Sequence, residues 1–326
     1  MKEGIGMEGR LPIRRFVQNN LVLMTILLLV LVTVLAEPKF LTVGNLGNIM
    51  NQFGPLSFVS LGMTIAIIGG FIDLSVAGIV SLSAVFTLSM IDVLGQGGAL
   101  VCGLCAGAVM GLINAYVIIS CGALTQAKAL FITYGLSAAY SAIALLYTDG
   151  ATQHMSYLTR PVTLFKAIGS GKIGFIPVSF VLFLLVMGLL HLFLTRMQTG
   201  REICLTGANM TAASLAGIPV KRRVMQIFVL SGMLSALGAI VLFSRITTAS
   251  PLLGADYETN AILAVVVGGT SLAGGRGSVV RTMLGVMLVT LLSNCMNLLG
   301  ISTYLQAVCK GLVLILAIWL DRRRVK

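Results

Sequence analysis

The sequence predicts an all-α polytopic membrane protein of about ten transmembrane helices, with both termini inside. Two features of composition carry that class: 57% of the 326 residues are hydrophobic and only 10% charged, and the mean hydropathy over the whole chain is +1.02. Soluble domains carry roughly a quarter charged residues. The third observation is the division of the chain into apolar runs near the roughly 20 residues that a spanning helix needs.

The runs lie at 21–36, 55–71, 75–94, 99–121, 129–147, 176–195, 224–244, 259–273, 280–299 and 302–320. The first follows Arg14 and Arg15 and ends in Val34-Leu35-Ala36, which has the look of a cleavage site. An uncleaved span is the expectation, because more spans follow. The stretch 55–94 is almost continuous, and 259–273 is short for a crossing. Within 99–121, Gly103, Gly107 and Gly111 share one helix face, a ridge that allows close helix contact.

Positive charge sets the orientation. With the N-terminus inside, only Lys39, Arg160, Lys166, Lys172 and Arg245 fall outside, and Lys310 falls within a span. The other 16 of the 22 Lys and Arg residues are inside, and inversion would reverse the bias. The domains that follow are a cytosolic segment 1–20, a transmembrane domain 21–320 and a cytosolic basic tail 321–326. Two longer loops interrupt the middle domain, 148–175 outside and 196–223 inside. The outer one, with Pro161, Gly169, Gly171, Gly174 and Pro177, is read as a loop with at most one short helix.

Several function classes drop out. The net charge of +12 sits at the ends of apolar runs, which points to membrane topology and lipid, not to nucleic acid. The six cysteines lie mostly in apolar runs, and the Cys102–Cys105 pair has no second pair or His beside it. No phosphate-binding GxxxxGK[ST] occurs: Gly171-Lys172 runs into Ile173, and Gly274-Gly275-Arg276-Gly277 lacks the Lys and the hydroxyl. His154 and His191 alone leave haem or di-metal chemistry short of ligands. No catalytic, cofactor-binding or metal site is expected in this chain.

Four features are candidates for function. Asp73 sits within 55–94, in Gly69-Gly70-Phe71-Ile72-Asp73-Leu74-Ser75. A carboxylate at a bilayer centre costs about 2.5–3.5 kcal/mol. The segment suits a helix break and restart capped by Asp73 or Ser75. It reads either as a broken helix lining a transport path or as a short cytosolic turn. Gly268-Gly269-Thr270-Ser271-Leu272 repeats its pattern in part, a hint of internal duplication. Lys310 needs a partner or a route to the interface, and Asp256 and Glu258 are the candidate partners. In the inner loop, Asn209 is a candidate cap for a helix over 211–216, which Gly217 and Pro219 would stop. Its small residues suit a groove on a partner protein; its basic flanks equally suit anionic lipid.

Taken together, these segments resemble the permease subunits of bacterial ribose-type ATP-binding cassette importers, within the branched-chain amino acid and ribose permease superfamily. The likeness runs from about residue 40 to the C-terminus. It rests on Ile72-Asp73-Leu74-Ser75-Val76, on Asn209 through Pro219, and on Ala264 through Gly277, with Asn297-Leu298-Leu299-Gly300 and Lys310 following in register. The sequence departs at Ala77, which stands before Gly78, and at Tyr134-Gly135. The resemblance implies a type II-like importer fold working as a homo- or heterodimeric pair. It also implies partner ATPase subunits, which hold the ATP and Mg, and a periplasmic sugar-binding protein. Asn209, Ala212, Ala213, Gly217 and Ile218 would then form the segment that docks on an ATPase. Gly69, Gly70, Asp73, Ser75, Gly268 and Gly269 would belong to the path or its breaks. Arg160, Lys166, Lys172 and Arg245 would meet acidic residues of the binding protein. A branched-chain amino acid permease of the same architecture and an ion-coupled secondary transporter are the competing expectations.

Overall fold

In the computed structural model, which describes residues 21–324 and the side chains of 22–319, the chain is a bundle of helices. They are α1 (Leu21–Ala36), α2 (Val43–Ile68), α3 (Val76–Ser120), α4 (Gln126–Thr148), α5 (Thr163–Ser170), α6 (Val178–Arg196), α7 (Gln198–Ala208), α8 (Met210–Leu215), α9 (Val220–Ile246), α10 (Tyr257–Val267), α11 (Val279–Leu298) and α12 (Thr303–Arg324). Four two-residue strands make two small antiparallel pairs. β1 (Gln153–His154) pairs with β4 (Thr248–Ala249), and β2 (Lys172–Ile173) pairs with β3 (Ile176–Pro177).

Each apolar run forms helix. α3 holds two of them, because at Gly95 (φ 74°, ψ 175°) the backbone leaves the helical region and reverses. The arms then face each other, and a methyl on Gly103 would collide with Thr87. Six helices, α2, α3, α4, α6, α9 and α11, are long and apolar enough to cross a membrane, whereas α1, α10 and Thr303–Trp319 of α12 are shorter apolar helices. Outward-facing Leu27, Leu28 and Leu31 on α1 and Leu312, Ile315 and Leu316 on α12 are exposed, a surface suited to lipid.

Two expectations need correction. The run 259–273 is helical only to Val267, so α10 has 11 residues and a length of about 16 Å, too short to span. α2 starts at Val43, twelve residues before its apolar run. Its polar start is held by tertiary bonds: the Asn45 amide donates to Asn294 Oδ1 (3.1 Å), and the Asn294 amide returns a bond to Asn45 Oδ1 (2.8 Å).

α2 and α9 form the buried centre. The glycine ridge of α3 packs on α9, where a methyl on Gly107 would meet the Gly232 oxygen at 2.5 Å and one on Gly111 would collide with the Phe228 oxygen. α5 sits at the C-terminal end of α9, its Phe165 ring 5.4 Å from that of Phe243. α7 sits at the other end, joined to α9 by the Arg223–Glu202 ion pair (2.7 Å). This placement separates two functional faces by the length of α9, about 40 Å for 27 residues.

Candidate functional site

α2 and α10 end in the same way. Gly69 and Gly268 keep helical dihedrals, and Gly70 (φ +87°) and Gly269 (φ +88°) then turn left-handed. At the first end, Phe71 N–H bonds Ala66 O (2.9 Å) and Gly70 N–H bonds Ile67 O (3.0 Å). At the second, Thr270 N–H bonds Val265 O (3.2 Å) and Gly269 N–H bonds Val266 O (2.9 Å). Glycine adopts this conformation without the clash a Cβ would bring. The sequence echo is therefore a repeated helix ending.

Asp73 lies between the first ending and α3 and is fully buried, which excludes a surface turn. Its Oδ1 accepts from the main-chain N–H (3.1 Å) and the hydroxyl of Ser75, and its Oδ2 accepts from the Ser231 hydroxyl (2.7 Å). Asn114 donates to Ser75 Oγ (2.6 Å), and Tyr140 donates to Asn114 Oδ1 (2.9 Å). The network ties the break to α9, to the second arm of α3 and to α4. It satisfies a buried carboxylate that would otherwise be costly. Ser75 occupies the cap position of α3, but its hydroxyl serves Asp73 and makes no capping bond.

The first ending and the loop that follows the second meet at α7. A methyl on Gly207 would collide with the Ile68 oxygen and come within 2.9 Å of Gly70 N, and one on Gly274 would lie 2.5 Å from the Gly207 oxygen. Gly275 N–H bonds the Ile68 oxygen (2.8 Å), a carbonyl at the helix end that lacks an intrahelical partner. Gly207 and Ala208 directly precede Asn209, so the first break and the loop after the second touch the backbone that leads into α8. Nothing in the sequence around Gly207 marks this approach.

In α8 the Asn209 side chain accepts from Ala212 N–H (3.0 Å), and Gly217 (φ +81°) follows the helix end, as the sequence predicts. Thr211, Ala212, Ser214 and Gly217 are exposed and Ile218 is half-buried. Ala213 faces inward and is 4% exposed, so it is removed from the docking surface. Leu215, which the sequence reading passed over, is 86% exposed. α7 was also missed, because its mixed polarity hides it. Its Glu202 accepts from Gln198 (2.8 Å) as well as from Arg223, whose guanidinium also reaches Gln226 (2.6 Å).

At the other end, Arg160, Lys166 and Lys172 are exposed. Arg245 is different. It is half-buried, and its Nη1 donates to Asn51 O (3.1 Å). Pro55 has no N–H to give that oxygen, so Arg245 replaces the missing helix bond. Lys310 has neither Asp256 nor Glu258 within ion-pair distance among the described residues. Instead Lys310 and Arg245 line the same cavity.

A helical bundle with two glycine-ended helices, a buried polar network and an exposed short helix linked to the bundle interior through α7 is a multi-pass membrane permease. Residues 45–318 match the family described as branched-chain amino acid transport system / permease component, and the chain belongs to that family. It is 34% identical over 322 residues to a ribose import permease protein of Haemophilus influenzae, covering 95% of this chain and 94% of the relative. It is 37% identical to a ribose import permease protein of Bacillus subtilis (91% and 90%). It is 32% identical to a D-allose transport system permease protein of Escherichia coli (88% and 86%). No solved structure matches significantly.

Proposed function

We propose that this chain is the permease subunit of an ATP-driven importer that carries a sugar or sugar-like solute across the bacterial inner membrane. The observation that carries the reading is the backbone contact of Gly207 with the ending of α2 and with Gly274, in the loop that follows the ending of α10. It joins an exposed short helix to the interior of the bundle, as a subunit moved by a separate motor requires. Both termini and α8 face the cytosol in this reading, and ten passes arise: α3 supplies two, and α10 completes one together with the non-helical segment 268–278 that follows it.

ATP and Mg belong to partner ATPase subunits, which grip α8 through Ala212, Leu215 and the Gly217 turn. Closure of the ATPase pair pushes α7 and α8, and the two breaks shift with them. A second permease copy or paralogue completes the path. A periplasmic binding protein delivers solute to the outer face, where Arg160, Lys166 and Lys172 attract its acidic residues. Sugar is favoured over branched-chain amino acids by the Gly268-to-Gly275 block and by the ribose and allose transport for which the relatives are named.

Reconstitution tests this. Proteoliposomes holding the chain, its co-purified ATPase and a loaded binding protein should take up labelled pentose only with ATP, and vanadate should stop them. Vanadate-insensitive uptake by the chain alone would mean an ion-coupled transporter and would overturn the proposal. Uptake of leucine but no pentose would overturn the sugar assignment.

A further inference from the structure

The cavity shared by Arg245 and Lys310 has a volume of about 180 Å³ and lies between α2, α9, α10, α11 and α12. Gln52, Tyr257, Asn260 and Thr290 contribute polar groups to its wall, and no carboxylate lines it. Asp256 is exposed and stands outside the lining. Arg245 gives one N–H to Asn51 O, so the other guanidinium N–H groups are not committed to that bond. Thr290 is 4% exposed, and its Oγ1 has no hydrogen-bond partner.

Buried polar atoms are almost always paired, and a cation within a membrane domain needs compensation. Here an orphan hydroxyl and two cations surround one space. That lining offers many donors and positive charge, which matches a ligand rich in oxygen acceptors. We propose that this cavity is a binding site for a small polyhydroxylated solute, and that its two cations make it prefer a sugar acid to the neutral sugar of the same size. The proposal deepens the sugar reading by naming the class of solute and the residues that hold it.

A cysteine placed at Gln52→Cys reports occupancy, since no native cysteine lies near it in the chain. Membranes containing the full chain are treated with a thiol reagent, without nucleotide, and labelling of the residue-52 peptide is followed by mass spectrometry. Ribonate is expected to protect at concentrations at least tenfold lower than ribose. Lys310→Gln should abolish that difference. Should Lys310→Gln fail to insert, Thr290→Val supplies the check, weakening protection by both solutes about tenfold. No protection by either solute, equal protection, or stronger protection by ribose overturns the inference. Because no ATP is used, failed ATP-driven uptake with intact protection would sink the importer reading and leave this site standing.

Discussion

Arg245 donates through Nη1 to the Asn51 carbonyl (3.1 Å), the oxygen that Pro55 leaves without its helical partner four residues on. An arginine at the end of α9 thus completes the hydrogen bonding of α2. The bond fixes its head at the cavity wall, which explains why it does not join the exposed basic residues of the outer loop.

This relationship predicts a coupling. Arg245→Ala should cost about 1–3 kcal/mol, because a partly buried carbonyl loses its donor. In a Pro55→Ala background the alanine N–H can serve Asn51 O, and the same substitution should cost less than half as much. Thermal unfolding of the four proteins in one detergent checks it; equal costs in both backgrounds would disprove the link.

A methyl group at Gly207 has no room beside the Ile68 oxygen. Gly207→Ala should lower both the melting temperature and ATP-driven uptake, the latter more than tenfold. Gly188→Ala is the control: a Cβ there meets nothing within 4 Å, and helix propensity favours alanine by about 1 kcal/mol. Its melting temperature should equal or exceed that of the native chain.

Asp73 accepts only from donors, so the chemistry of its replacement matters. Ser231→Ala should destabilise by about 1–3 kcal/mol, since Oδ2 loses the Ser231 hydroxyl. Asp73→Leu should cost more than Asp73→Asn, because leucine offers no acceptor to Ser75 or Ser231. Denaturation midpoints in detergent give the ranking, and the reverse order would refute the role assigned to the network.

Inward and outward positions on α8 should separate by phenotype. Ala213→Arg forces a cation into a buried site and should reduce the yield of folded protein. Leu215→Arg should leave the melting temperature within a degree or two, yet prevent co-purification of the ATPase. Retention of the ATPase by a folded Leu215→Arg chain would remove α8 from the interface.

Much of the bundle was legible because lipid demands long apolar helices, and these leave a plain signature. α8 was legible because a capping Asn and a terminating Gly act locally, within the helix they bound. What escaped depends on distance in sequence. The start of α2 looks too polar for helix until Asn45 finds Asn294, 249 residues away. Arg245 looked like a surface cation until Pro55 supplied a reason to turn inward. Asp73 was recognised as unusual, but its four-residue relay through Ser75, Asn114 and Tyr140 draws on three separate helical segments. Gly207 was invisible, for a lone glycine carries no pattern.

The junction at Gly207 is made of peptide groups alone. Side chains can change rotamer and soak up a small displacement, whereas touching peptide planes have no such slack. A displacement of α7 would therefore press directly on residues 68–70 and 274–275, with no rotamer change between them to absorb it.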